Sequence, residues 1–161
     1  MNIKTGIFEI SRWTAVVLAL VCLLTMFGSN KWSSADPAEV EAAVIAELDM
    51  SAMVKADNQM VKRLYGLDPA AFESCILYYP TTNMMAEEVL IVKLSDVSQQ
   101  ETVRAAVEAR LQTQKTTFEG YGVEQFDMLT NASVIEVRGN YVLFVVSRTA
   151  DQVRQAFLDA L

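Results

Sequence analysis

The chain predicts an α+β fold: an N-terminal transmembrane or signal helix, then an α-α-β-β-α-β-β-α domain with a mainly antiparallel four-stranded sheet and helices packed on it. Three observations carry this. Trp13–Asn30 is an 18-residue run without a charge. Downstream, apolar residues alternate between helical spacing and short β-rich runs. Finally, Gly139-Asn140 joins two apolar runs as a two-residue hairpin loop would.

The apolar run comes first. A spanning helix needs about 20 mostly apolar residues, with a lower limit near 17. Eighteen residues at roughly 1.5 Å each give about 27 Å. Trp13 and Trp32 bracket the run as interfacial aromatics do, and Lys4 and Arg12 precede it. Positive charge before the run places the N-terminus inside and the remainder outside. The expectation is a single-pass anchor in the cytoplasmic membrane. Two alternatives stay open. Ser33-Ser34-Ala35 loosely fits a signal cleavage site, which would give a secreted product after a cut near Ala35. Cys22 invites a lipoprotein reading, but Val21 is larger than the residue such processing requires before the cysteine. Residues 1–35 are therefore read as basic segment, anchor (about 13–30) and tether, and 36–161 as an extracytoplasmic domain.

The elements of that domain follow in order. Asp36-Pro37 opens a helix as cap and first-turn proline, with Glu39 near its positive end. Val40, Val44 and Leu48 share a face, so the helix is read over Pro37–Leu48. A second helical stretch carries Met53, Met60, Val61, Leu64 and Tyr65, closed by Gly66. Ser74–Tyr79 and Glu88–Leu94 are read as strands from their Tyr, Ile and Val content. Ser98-Gln99-Gln100-Glu101 has capping-box form and opens the longest helix, with Val103, Val107, Leu111, Gln114 and Phe118 on one stripe. Tyr121–Asn131 is read as an irregular connection. Val134–Arg138 and Tyr141–Ser147 form the hairpin, whose second strand, YVLFVV, is apolar on both faces and should be central, covered on both sides, or by helices on one side and membrane or a partner on the other. Thr149 or Asp151 caps a last helix with Val153, Phe157 and Leu161 inward. Helices are expected on one face of the sheet.

Composition excludes several function classes. The chain has 161 residues, 13 basic and 20 acidic, for a net charge of −7. Lys4, Arg12, Lys31 and Glu9 precede Asp36, so the domain holds 10 basic and 19 acidic residues. Such an acidic domain is a poor partner for nucleic acid, and Lys62-Arg63 is its sole adjacent basic pair. There is no histidine, which removes Ser–His and Cys–His nucleophile systems and most catalytic zinc sites. Cys75 stands alone in the domain, so no disulfide forms within it, and its apolar neighbours read it as a buried small hydrophobe. No motif implies a metal or a cofactor, and no catalytic constellation is evident.

The candidate surface is correspondingly modest. Arg110 and Gln114 lie four apart on one helix face, near the Phe118-Glu119-Gly120-Tyr121-Gly122 turn. With Tyr121 and Asn131 they are candidates for a polar ligand or partner surface. Against this stands a plain structural network, with Tyr121 packed on the helix end. Glu87, beside Glu88, is a further candidate, although adjacent strand residues face opposite ways. Of Tyr78 and Tyr79, one is expected in the core and the other exposed. An exposed ring beside Met84-Met85 would suit a protein partner.

RLYGLDP, the EEVLIVK strand, the R-x-x-x-Q helix before F-x-x-Y, and NA…GNYVLFVV together resemble an uncharacterised domain-of-unknown-function family from Gram-positive anaerobes. Its members often stand behind a membrane or lipoprotein leader. The resemblance covers about Met53–Leu161. It implies an anchored extracytoplasmic α+β domain and supplies no catalytic residue. The leading functional expectation is a membrane-anchored module that binds a protein or cell-envelope component. The alternative is a small-ligand binder, or an envelope hydrolase using carboxylates and Tyr121. Self-association is a third possibility.

Overall fold

The computed structural model describes Trp32–Leu161. The anchor and lipidation readings of Trp13–Asn30 and Cys22 concern residues outside that range; the cleavage reading at Ser33-Ser34-Ala35 falls within it. Among the described residues, no helix is long and apolar enough to cross a membrane.

The domain is α+β, with a five-stranded antiparallel sheet ordered β1-β2-β3-β5-β4. The strands are β1 (Met53–Lys55), β2 (Ser74–Pro80), β3 (Glu88–Lys93), β4 (Ser133–Arg138) and β5 (Tyr141–Val146). The helices are α1 (Pro37–Ile45), α2 (Asn58–Tyr65), α3 (Gln100–Phe118), α4 (Val123–Asn131) and α5 (Ala150–Asp159).

The expected four-stranded sheet gains its fifth strand from Met53–Lys55. Met53, grouped by spacing with the second helix, instead pairs with Pro80 across β1 and β2. Asp57 ends that pairing by accepting the Met60 amide at 2.8 Å, so α2 begins only at Asn58. A side-chain cap three residues upstream of Met60 outweighs the apparent periodicity. Gly66, at φ 68°, closes α2 in left-handed geometry that favours glycine.

A second difference is α4, expected as irregular chain. Gly122 makes it possible. A Cβ there would fall 2.5 Å from Phe118 Cδ1, so only glycine lets the chain turn tightly against that ring. Helix α4 then buries Met128 and Leu129. The capping box is also displaced: Asp96 accepts the Ser98 amide while Gln99 accepts the Asp96 amide, and α3 proper starts at Gln100. Helix α1 stops at Ile45, three residues before the expected Leu48.

Helices cover both faces of the sheet, not one. The face carrying Leu77, Leu90, Val92, Val142, Phe144 and Val146 packs against α2, α3 and α4. The opposite face, with Ile76, Val89, Ile91, Leu143 and Val145, packs against α1 and α5. Two-sided covering explains why β3 and β5 are buried along their whole length. Each fully buried side chain such as Phe144 contributes about 1.5–3 kcal/mol.

The β4–β5 hairpin turns at Gly139-Asn140, with Arg138 opposite Tyr141. Asn140 is fully buried, and its side chain clasps the backbone of Ser33. Oδ1 accepts the Ser33 amide at 2.8 Å, and Nδ2 donates to the Ser33 carbonyl at 3.2 Å. The Ala35 carbonyl accepts from Lys93 Nζ at 3.1 Å and the Tyr141 hydroxyl at 2.8 Å. Ser33–Ala35, read from the sequence as tether, is thus stitched to the end of the sheet.

Candidate functional site

The alternation of β3 sends Glu88 to the face covered by α2 and α3. It is fully buried, an expensive position for a carboxylate unless every lone pair is engaged. Three side chains on two helices supply its donors. Arg110 of α3 reaches Oε1 through Nε at 3.2 Å and Oε2 through Nη2 at 2.7 Å. Gln114, one turn further along α3, donates its amide to Oε2. The Tyr65 hydroxyl, at the end of α2, donates to Oε1. Tyr65 is held there edge-on to Phe144, with ring centroids 6.5 Å apart.

The electrostatics follow from this enclosure. Burial first, and the Glu88 charge second, push the Tyr65 hydroxyl well above its ordinary pKa, so it remains a donor. Burial opposes the Arg110 charge, but the hydrogen bonds and charge of Glu88 overcome it and raise the guanidinium pKa. A carboxylate with four donors has no lone pair left for general-base work.

One atom of the cluster is left over. Because a carboxylate only accepts, the Gln114 amide nitrogen must face Glu88, and this fixes the side chain's orientation. Its carbonyl Oε1 is buried and accepts no hydrogen bond among the described residues. Leaving such an acceptor unpaired costs about 1–3 kcal/mol.

Arg110 and Gln114 also line a cavity of about 340 Å³ between α2, the C-terminal half of α3 and the β2–β3 connection. Met60, Leu64, Met85 and Phe118 give it apolar walls. Tyr79, Arg63, Thr117 and the Thr81–Asn83 loop give it polar ones. The two tyrosines at the end of β2 do face opposite ways. Tyr79 lines the cavity, whereas Tyr78 packs on the α1 side and donates to Glu41 at 2.6 Å.

The sequence candidates are distributed unevenly. Arg110 and Gln114 meet at Glu88 and at the cavity. Tyr121 is 61% exposed, lies against Phe118 with centroids 5.9 Å apart, and does not line the cavity. Asn131 donates to Asp127 at 2.8 Å on the exposed side of α4. Glu87 is half-buried and outside the cluster; its neighbour Glu88 is the enclosed carboxylate. Tyr65, Arg63 and Glu88 were missed. Strand parity could have found Glu88, since it shares a face with Leu90 and Val92. Lys62-Arg63 was visible as a basic pair, but nothing in the sequence tied it to α3.

Cys75 is partly buried against the α3 side of the core, and burial raises its thiol pKa to about 12. This suits an inert packing residue.

Fold and site together define a small acidic α+β domain with a buried, saturated ion pair beneath a ligand-sized cavity. The chain belongs to the family described as domain of unknown function DUF4358, whose model matches residues 46–147, more than half of its length. The matched stretch contains Tyr65, Glu88, Arg110, Gln114 and the cavity walls. No curated protein and no solved structure matches significantly.

Proposed function

We propose that this protein is a non-enzymatic, membrane-anchored extracytoplasmic module that binds a small ligand in the cavity between α2, α3 and the β2–β3 connection. The single observation that carries this reading is the cavity itself, floored by Arg110 and Gln114. Its volume, about 340 Å³, falls at the lower end of small-molecule sites, which run from about 300 to 1,000 Å³. Apolar walls with a few fixed polar groups are what such sites use for affinity and orientation. The saturation of Glu88 favours binding over hydrolysis, because hydrolysis by carboxylates needs one of them free to take a proton. The uncharged Trp13–Asn30 run, preceded by Lys4 and Arg12, supports anchoring with the domain outside.

The test is a ligand screen by thermal shift on the full-length chain, repeated on Thr117→Trp. Thr117 is an exposed residue of the cavity wall, so the larger ring fills the space without entering the core. Compounds that stabilise the native chain and not the variant support the proposal. A screen whose hits all act equally on both proteins contradicts it.

A further inference from the structure

We propose that the ligand of this cavity is a small organic carboxylate with an apolar body and a hydrogen-bond donor beside the charged group. This rests on the cavity's being the binding site and goes on to name what it takes. The first observation is charge. The domain holds 19 acidic and 10 basic residues, yet no Asp or Glu lines the cavity, and two arginines do. Glu88 neutralises Arg110. Arg63 has no carboxylate within ion-pair distance among the described residues. It donates instead to Met60 Sδ at 2.8 Å, and a thioether is a weak acceptor. The lining therefore keeps one guanidinium without an ion pair among the described residues, with Asp57 beside it at the adjoining pocket but beyond ion-pair distance.

The second observation is independent. Gln114 is 5% exposed and lines the cavity, and its carbonyl, covered by neighbouring side chains, has no donor among the described residues. A ligand O–H or N–H that shifts the covering side chains supplies that donor. The apolar body meets Met60, Leu64, Met85 and Phe118. Carboxylate is preferred to phosphate on charge. One guanidinium balances a single negative charge through a two-point contact, whereas a phosphate monoester brings about −1.5 to −2. The excess would stand unpaired in surroundings that are already negative.

The experiment uses the full-length chain, in detergent where Trp13–Asn30 requires it, and titrates four probes by saturation-transfer NMR. 3-Phenyllactate has the carboxylate, the donor and the apolar ring. Its methyl ester lacks the charge, 3-phenylpropionate lacks the donor, and 2-phenylethyl phosphate carries the larger charge. 3-Phenyllactate is expected to bind best, with each of the others weaker by about tenfold, the loss of roughly one good polar contact. Arg63→Gln, a change on an exposed helix position whose thermal midpoint serves as the folding control, is expected to weaken 3-phenyllactate about tenfold and its ester hardly at all. Equal binding of acid and ester, or an unchanged acid affinity in Arg63→Gln, overturns the carboxylate assignment while leaving the cavity a binding site. Tighter binding of the phosphate overturns the choice of anion. Failure of every probe, charged or neutral, at millimolar concentration counts against both readings. Success is distinguished from surface adsorption by its loss in Thr117→Trp.

Discussion

Arg110 grips both oxygens of Glu88, through Nε at 3.2 Å and Nη2 at 2.7 Å, with the carboxylate fully enclosed. The pair ties the centre of the sheet to the middle of α3. Removing Arg110 leaves a buried charge unmatched, whereas removing both charges while keeping an acceptor for the Tyr65 hydroxyl and the Gln114 amide leaves mainly a packing problem. Arg110→Ala is therefore expected to lower unfolding free energy by about 3–5 kcal/mol, and Glu88→Gln combined with Arg110→Met by less. Urea titrations of the single and double variants measure the difference. A double variant no more stable than Arg110→Ala would show that the carboxylate is not desolvated.

The Asn140–Ser33 clasp makes a second prediction. Asn140→Ala leaves the Ser33 amide and carbonyl without their partner, a loss of about 1–3 kcal/mol. Hydrogen exchange should then accelerate at the Ser33 amide, with the strands' amides less affected. The same contacts bear on processing, since a cut after Ala35 would strip Ser33 from the sheet end. Intact mass of the protein isolated from the cells that make it is expected to show Ser33–Ala35 retained; a product starting at Asp36 would contradict this.

Gly122 and Gly66 should respond differently to alanine. At Gly122 the new Cβ meets the buried Phe118 ring at 2.5 Å, so overpacking of about 1–3 kcal/mol is expected. At Gly66 the space is open, and only the left-handed backbone at φ 68° opposes the change, for about 1 kcal/mol. Chemical denaturation of the two variants checks the order.

Alkaline pH should destabilise the fold. Burial raises Cys75 from 9.0 to about 12. Burial and then Glu41 raise Tyr78 from 10.0 to about 12, and burial and then Glu88 raise Tyr65 well above 10.0. A group with a raised folded pKa contributes its full stabilisation below its unfolded pKa. The contribution fades as pH climbs through the folded value, because the unfolded chain loses the proton first. The thermal midpoint is expected to hold up to about pH 9 and to fall steadily toward pH 12. Cys75→Ala should delay the onset, since it removes the group that titrates first when unfolded.

Much of the fold was legible because local chemistry and tertiary packing agree. Asp36-Pro37 caps α1, Gly139-Asn140 turns the hairpin, and the wholly apolar YVLFVV lies inside the sheet. The misreadings fall where long-range contacts decide. Met53–Lys55 is too short to show a strand period and becomes one only by pairing with Tyr78–Pro80. Helix α4 is only nine residues long with no side-chain cap at its start, and it depends on Gly122 packing under Phe118. In the site, Arg110 and Gln114 were readable as an i, i+4 pair on α3. Glu88, Tyr65 and Arg63 come from other elements, and no local pattern brings three segments to one point.

The most direct test of the cavity as the functional site is an amide chemical-shift map of the full-length chain titrated with 3-phenyllactate. Shifts are expected to concentrate on Leu64, Met85, Gln114 and Thr117 and to saturate together with one affinity. Shifts confined to the opposite face, around α1 and α5, or spread over the surface without saturation, would contradict it.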